Sequence, residues 1–450
     1  MKKNFYQLYI FCAFLLAGSA CSLQKKIDTA AKANLINTQE LKSAHIGISI
    51  YEPGRNRYWY SYQSDKFFIP ASNTKIFSCY AGMKYLGDSL PGLRYAENDK
   101  DLFIQPTGDP SLLHPDFANQ PVIRFLQQKK ARNILIDGNN WQENAWGMGW
   151  AWDDYNDDYM AERSALPVYG NTIKFVQTQT SETIEELASK PQTTIFTQPE
   201  INWKLNFNAD TGMARFSVKR NLHENIFTLT EGKEKQKELN IPFATNGLSS
   251  ALELLKDTIG KEIAIAGAMA VAGVKFSTLL SQPADAVLQP MMHRSDNFFA
   301  EQILLMVSNQ LLHTMNDEKI IDTLLKTDLK GLPQRPNWVD GSGLSRYNLF
   351  TPQDFVWLLS RMKTEFDWKR LSTIFPTGNT GTLTNYYTAD SGYIYAKTGS
   401  LSGVIALSGF LVTKKNKSLV FSVLVNNHQT TGRAARRAVE KFLQSIRDNY

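Results

Sequence analysis

The sequence predicts an α+β fold, with an antiparallel sheet, helices that flank it and a separate β-rich module in the middle of the chain. Near the start, two strand-like segments separated by a turn lead directly into a helix. Near the end, a run of three strand-like segments precedes a long helix. Between them lies a long region in which strand-like stretches alternate with polar ones and no helical period is present. This middle region is therefore predicted to be a separate module.

Length and composition indicate a globular protein with more than one domain. The 450 residues are enough for two or three domains with substantial cores. The net charge of +6 is mild and no basic run is present, so nucleic-acid binding is not predicted. The histidines are scattered and form no zinc-binding spacing with cysteine, so neither a metal nor a cofactor is predicted.

The N-terminus resembles an export signal, predicted over residues 1–21. Lys2 and Lys3 precede an apolar run at 8–20 that is too short to span a bilayer and ends in small residues. Cys21 follows directly and resembles the lipidated cysteine of bacterial lipoproteins. The alternative is plain cleavage after Ala20, which would release an unlipidated protein. We expect an exported protein of the periplasm or cell envelope, with membrane contact only through a lipid anchor at Cys21.

The first elements in chain order are strands at 45–51 and 58–62, followed by a helix that begins at or just after Ser72. Apolar residues recur at helical spacing as far as Leu86, and Gly87 ends the helix. Short strands are predicted at 99–107 and 133–137.

A segment rich in tryptophan and aspartate follows, at 141–158. Its spacing begins like a calcium loop, but Tyr159 stands where that loop needs glycine, so a packing role is favoured. Sugar binding by its tryptophans is a second alternative, and it too ranks below packing.

Helical patterns return in the second half of the chain. Helices are predicted at 248–259, 284–293, 298–312 and 351–362, with Pro290 expected to kink or interrupt the second of them. Strands are predicted at 392–397, 404–413 and 418–425, and a helix at 432–446 closes the chain.

Ser72 and Lys75 are the first candidate site. On a helix, residues three apart share a face. A serine hydroxyl becomes a strong nucleophile when a neighbouring base takes its proton, and a neutral amine can be that base. The motif alone is weak, because a capping serine and a solvated lysine would look the same. The same spacing recurs at 22–25 and 360–363.

Two further motifs follow in order, Ser295-Asp296-Asn297 between helices and Lys397-Thr398-Gly399 at the end of a strand. Each also has an ordinary reading. Ser295 and Asn297 could cap the next helix. Lys397 could be a surface lysine, and Gly399 a bulge or a point of close approach. Together, the three motifs in this order make coincidence improbable.

The trio resembles the active-site signature of penicillin-binding proteins and serine β-lactamases. The chain is similar, from about Ile46 to its end, to the class C low-molecular-mass penicillin-binding proteins, which are D-alanyl-D-alanine carboxypeptidases/endopeptidases. Further stretches of sequence similar to this family lie at 108–112, 150–154, 164–166, 340–344, 381–383 and 397–404. The 223 positions between Ser72 and Ser295 match the long insertion of that family. The resemblance implies a transpeptidase-type penicillin-binding domain at 22–88 and 245–450, interrupted by a β-rich module at 89–244.

The resemblance also implies catalytic roles. Ser72 would attack the carbonyl between two D-alanines and form an acyl-enzyme, with Lys75 as the candidate base. A second cation nearby, Lys397, together with burial, would favour the neutral amine that a base requires. Ser295 would bridge the two lysines and pass a proton to the departing amine.

The remaining implied roles concern substrate binding. Asn297 would hold a substrate amide or the lysine, while Lys397 and Thr398 would bind the terminal carboxylate. Gly399 would leave room for a substrate along the strand. The backbone N–H of Ser400 would complete the oxyanion hole with that of Ser72.

These roles imply a serine DD-peptidase that acts on peptidoglycan stem peptides ending in D-Ala-D-Ala, with β-lactams as covalent inhibitors. Two alternatives remain open. A β-lactamase-like serine hydrolase would differ in how fast its β-lactam acyl-enzyme is hydrolysed. A non-catalytic cell-wall binding protein would use the tryptophan-rich module as its working surface.

Overall fold

The computed structural model describes residues 23–130, 133–180, 192–208, 214–267 and 273–450. The predicted signal peptide and Cys21 lie outside these residues. Within them, no helix combines the length and the apolar character needed to cross a membrane. The chain forms two compact units. Of the described residues, one unit comprises those up to Phe77 together with Gln289–Ser295 and Ile321–Tyr450. The other comprises those within Ser78–Leu288 and Asp296–Ile320.

The described strands, numbered along the chain, are β1 His45–Glu52, β2 Arg57–Tyr62, β3 Ser89–Glu97, β4 Asp101–Pro106, β5 Asn133–Ile136, β6 Thr172–Thr180, β7 Gln192–Gln198, β8 Leu205–Asn208, β9 Ser217–Arg220, β10 Phe227–Thr230, β11 Gln236–Pro242, β12 Ile263–Ile265, β13 Ser277–Pro283, β14 Ile394–Leu401, β15 Val404–Val412 and β16 Ser418–Asn426. The helices labelled in this article are α1 Lys75–Tyr85, α2 Pro121–Gln128, α3 Ser249–Ile259, α4 Ala284–His293, α5 Asn297–Leu312, α6 Asp317–Lys326, α7 Pro352–Glu365, α8 Trp368–Ile374 and α9 Gly432–Asn449.

The first unit is built on one five-stranded sheet with the order β14-β15-β16-β1-β2. Every neighbouring pair is antiparallel, so the predicted antiparallel sheet is confirmed. Strands from the two ends of the chain pair at β1 and β16. β14 is an edge strand, and β15 is its one partner in this sheet.

Helices cover both faces of this sheet, which explains why β15 and β16 are almost wholly buried. On one face, α9 places an apolar stripe that includes Val439, Phe442 and Ile446 into the core. On the other face, α7 packs against β1, β15 and β16. Phe77 of α1 joins a cluster of aromatic rings with Phe350 and Phe355.

The second unit is rich in strands. It holds a five-stranded sheet, β12-β5-β4-β3-β13, and two three-stranded sheets, β11-β6-β7 and β8-β10-β9. One apolar core draws on these sheets together with α2 and α3. The β-rich module predicted at 89–244 lies wholly within this unit, which also extends beyond it on both sides. The predicted domain boundaries themselves stay a prediction.

Candidate active site

Ser72 and Lys75 lie one turn apart, in a 3₁₀ turn (Ala71–Thr74) that continues into α1. The Lys75 Nζ lies 3.0 Å from Ser72 Oγ and donates to it. The same amine donates to the carbonyl of Ser342 at 2.8 Å. Lys75 is completely buried, so its amine is held against the serine hydroxyl away from bulk water.

Asn73 fixes this turn to the sheet. Its buried side-chain amide, oriented so that both ends are satisfied, donates to the carbonyl of Lys397 at 2.7 Å and accepts from Ser408 Oγ at 2.7 Å. Ser408 in turn shares a 2.8 Å hydrogen bond with Ser422. The role of Asn73 is not predicted from the sequence. The available signal was a buried serine in each of the otherwise apolar strands β15 and β16.

The loop at 340–348 positions the Ser342 carbonyl. The carboxylate of Asp340 accepts from the backbone N–H of Gly343 and of Ser345, both at 2.7 Å. The side chain of Asn348 donates to the same carboxylate at 2.8 Å. The sequence of this loop is similar to that of the family, but it does not predict that the loop backbone contacts Lys75.

Gly343 allows that loop to approach the turn that carries Ser72. Its φ is +82°, and a Cβ there would lie 1.9 Å from the carbonyl oxygen of Ala71. We expect Gly343→Ala to slow acylation by penicillin at least about tenfold and to cost about 1–3 kcal/mol of stability, because the loop must move away. Stopped-flow acylation and urea unfolding measure the two effects.

The matched control is Gly392→Ala, because Gly392 has a φ of +79° but its Cβ would meet nothing within 4 Å. Gly392→Ala should lose stability through the same kind of backbone strain as Gly343→Ala, but it should keep the wild-type acylation rate. Equal losses of acylation in the two variants would contradict a role for close packing at Gly343.

Ser295 and Lys397 form a second pair within the first unit. The Lys397 Nζ donates to Ser295 Oγ at 2.8 Å and to the carbonyl of Thr398 at 2.7 Å. Ser295 has a φ of +63°, a strained conformation that is typical of functional sites. The N-cap of α5 is Asp296, whose carboxylate accepts from the backbone N–H of Phe299 at 3.0 Å.

Lys397 is completely buried, so it is not a surface lysine. Burial, and secondarily the neighbouring charge of Lys75, hold the pKa of Lys397 well below the ordinary lysine value. A lysine in this environment releases its proton easily. The site therefore holds two amines close enough that a proton on one disfavours a proton on the other.

The edge strand β14 lies close to the turn of Ser72. A Cβ at Gly399 would lie 2.6 Å from the carbonyl oxygen of Pro70 and 3.2 Å from the Cβ of Ala71. Glycine is therefore needed for close approach, within a regular strand pair rather than at a bulge. Because side chains alternate along a strand, Thr398 and Ser400 point away from the face that carries Lys397 and Gly399.

Asn297 belongs to the second unit, where it is the first residue of α5. Its side-chain amide donates to the carbonyl of Tyr159 at 3.0 Å. Further along α5, Gln302 donates to the carbonyls of Gly108 and Ser164 at 2.8 and 2.9 Å. The segments that resembled the family at 108–112 and 164–166 are thus bound to the helix that carries Asn297.

Polar side chains of the tryptophan- and aspartate-rich segment hold it in the second unit through hydrogen bonds. Asn156, in the calcium-like spacing, donates to the carbonyl of Val218 and accepts from the N–H of Arg220. Within the part of the chain that the structure describes, no group of His, Cys, Asp and Glu could hold a metal ion.

A buried charge cluster lies beside α5 in the same unit. The guanidinium of Arg163, 1% exposed, contacts Asp317 at 2.6 Å, Glu143 at 3.1 Å and Glu301 at 3.5 Å. Burial raises the pKa of Glu143, an effect that Arg163 opposes and Asp317 reinforces. One arginine thus compensates three carboxylates, and Glu301 connects it to the helix that begins at Asn297.

Comparison with known proteins identifies the family. The model of the D-Ala-D-Ala carboxypeptidase 3 (S13) family matches residues 25–447. The D-alanyl-D-alanine carboxypeptidase DacB of Haemophilus influenzae is 22% identical over 95% of this chain and 95% of its own. The D-alanyl-D-alanine carboxypeptidase of Actinomadura sp. (strain R39) is 26% identical over 88% of this chain and 80% of its own. The crystal structure of penicillin binding protein 4 (dacB) from Haemophilus influenzae covers 93% of this chain and 98% of that one, with 19% identity and a TM-score of 0.71.

The family and the structural likeness confirm the α+β penicillin-binding fold and a cell-wall function. The predicted peptidoglycan substrate follows from the family, whereas β-lactam binding and export to the periplasm stay predictions. The chain thus belongs to the D-Ala-D-Ala carboxypeptidase 3 (S13) family and, as its sequence predicts, is a serine-type D-Ala-D-Ala carboxypeptidase of the low-molecular-mass penicillin-binding class.

Proposed function

We propose that this chain hydrolyses the bond between the two terminal D-alanines of stem peptides through an acyl-enzyme on Ser72. The observation that carries the proposal is the buried Lys75 amine, 3.0 Å from Ser72 Oγ. Nucleophile and base are within hydrogen-bond reach, and the Ser342 carbonyl orients the base at 2.8 Å. That arrangement of nucleophile, base and orienting group is the one that serine hydrolases need.

In the first half-reaction, neutral Lys75 accepts the proton of Ser72 as its oxygen attacks the carbonyl carbon. The backbone N–H groups of Ser72 and Ser400 stabilise the oxyanion. The C–N bond then breaks, and Ser295 donates a proton to the departing D-alanine amine and is reprotonated through the lysines. In the second half-reaction, water gives a proton to the same base and attacks the ester carbonyl carbon. The bond to the Ser72 oxygen then breaks, the base returns its proton to that oxygen, and the shortened peptide is released.

Substrate binding is proposed to use the edge of β14 from Lys397 onward, because Pro376 and Thr377 already pair with the strand at Tyr395 and Ala396. An extended peptide can add to an edge strand through its backbone hydrogen bonds. Lys397 and Thr398 then bind the terminal carboxylate. Gly399 admits the turn of Ser72 to the strand, since a Cβ there would lie 2.6 Å from the carbonyl oxygen of Pro70. Asn297 holds a substrate amide.

The test is intact-mass analysis after exposure to a fluorescent penicillin, followed by peptide mapping. We expect one adduct per chain, located on the peptide that contains Ser72 and lasting many minutes. Rapid turnover without a persistent adduct would instead support the β-lactamase-like alternative. If folded protein shows neither an adduct nor turnover, the enzymatic proposal is overturned and the non-catalytic binding protein is supported.

Lipid anchoring at Cys21 is a separate proposal, supported by the apolar run and small residues that precede this cysteine. Expression in a bacterial host should place the wild type in the membrane fraction and Cys21→Ser in the soluble periplasmic fraction. Wild-type protein in the soluble fraction would contradict lipid anchoring but would not bear on the proposed enzymatic activity.

A further inference from the structure

We propose that Arg436 recognises the free carboxylate of the departing D-alanine and so makes the enzyme selective for substrates that carry it. The inference rests on the proposed function, which places this carboxylate beside Lys397 and Thr398. Arg436 lies near the start of α9, and its Nη2 donates to the hydroxyl of Ser400 at 2.9 Å. It therefore contacts the strand along which the substrate is proposed to bind.

The side-chain alternation of β14 defines where Arg436 lies. Gly399 faces the turn of Ser72, whereas Thr398 and Ser400 face the side on which α9 packs. Arg436 and Thr398 line the same small cavity. The guanidinium consequently borders the edge strand at two positions, Thr398 and Ser400, of which the first is the proposed carboxylate ligand.

The local charge pattern supports a negatively charged ligand. The first two turns of α9 carry three arginines, at 433, 436 and 437, and its first turn has no acidic residue. Like charges three or four residues apart on a helix repel one another, as Arg433 does with Arg436 and Arg437. Arg437 is compensated by Glu440. Arg436 has no carboxylate within ion-pair distance in the described part of the chain. A locally unfavourable charge without compensation is typical of a functional position.

The chemistry of the two groups is complementary. A guanidinium offers two parallel N–H donors that match the two oxygens of a carboxylate, and such charge-assisted bonds are stronger than a bond to a neutral hydroxyl. In the free enzyme the Ser400 hydroxyl holds the guanidinium in place. The substrate carboxylate is a better acceptor, so Arg436 turns from Ser400 towards it.

The test compares two peptides that share the D-Ala-D-Ala sequence, one with a free terminal carboxylate and one with a terminal amide. For Arg436→Gln, we expect kcat/KM on the carboxylate peptide to fall about 10–100-fold, chiefly through KM, and that on the amide to stay within about twofold. Arg436→Lys should recover part of the loss, because it keeps the charge but loses the paired donors.

Arg437→Gln is the matched control, since it removes the same charge one residue along, where Glu440 already compensates it. It should leave both peptides unaffected. If Arg436→Gln loses equal activity on both peptides, Arg436 only positions Ser400 and the proposal is overturned. No loss of activity on either peptide would overturn it as well. Failure of the proposed function is distinguishable, because the wild type would then hydrolyse neither peptide, and the inference would fall with it.

Discussion

Replacing Ser72 with alanine should abolish hydrolysis of D-Ala-D-Ala peptides, with a loss in kcat of roughly a millionfold by analogy with other serine hydrolases. Without the hydroxyl, no acyl-enzyme can form, and the Lys75 amine has no nucleophile to activate. The penicillin adduct should also be absent from the intact-mass spectrum. Because the only change is one half-buried hydroxyl, the free energy of unfolding should change by no more than about 1.5 kcal/mol.

Ser360→Ala is the matched control, because Ser360 and Lys363 repeat the motif spacing in α7. There the serine hydroxyl donates to the carbonyl of Val356 at 2.7 Å, and the lysine contacts Ser418. This variant should keep full activity and full labelling. An adduct that persists in Ser72→Ala would place the nucleophile elsewhere and remove the basis of the proposed mechanism.

Replacing Arg163 with methionine should have the largest effect on stability, a loss of about 3–5 kcal/mol at neutral pH. The substitution keeps most of the side-chain volume but leaves Glu143, Glu301 and Asp317 buried without their cation. Urea unfolding of the full chain measures the loss. Arg335→Met is the control, because that arginine is 62% exposed and solvent screens its pair with Asp322, so its loss should change stability little.

The pH dependence of the loss identifies its cause. Burial already raises the pKa of Glu143, and removal of Arg163 takes away the opposing charge. The folded variant therefore binds more protons than its unfolded chain, and its stability falls as the pH rises through the raised pKa. The difference between wild type and variant should be smaller at pH 5 than at pH 8. A difference independent of pH would point to lost packing instead.

The main elements of the fold could be predicted because their patterns are local. The strands of the first unit and the long helices have clear periods and turn residues. Pro290 was expected to kink or interrupt α4, yet the helix runs from Ala284 to His293 with Pro290 inside it. Proline removes only its own N–H bond to the carbonyl four residues before it, and bonding resumes after it, where the N–H of Arg294 donates to the carbonyl of Pro290 at 2.9 Å. β3 was missed because Pro91 and Gly92 interrupt its pattern, although pairing on both sides stabilises the strand.

The sequence motifs name residues, but they do not reveal the contacts that orient them. Nothing in the sequence places the carbonyl of Ser342 on Lys75, since a backbone oxygen has no residue signature. Asn73 and Arg436 were missed for a related reason: their partners, Lys397 with Ser408 and Ser400, are distant in the chain. Such partners become visible only once the strands are in register.

The pairing of β1 with β16 also bears on the order of folding. The central strands of the first sheet come from the two ends of the chain, so the sheet cannot be completed until residues near 426 are available. The second unit, by contrast, is mostly one continuous stretch, Ser78–Leu288. Since closing a large loop is slow, we expect the second unit to assemble early and the catalytic sheet last. The nucleophile is thus present long before the strand that completes its site.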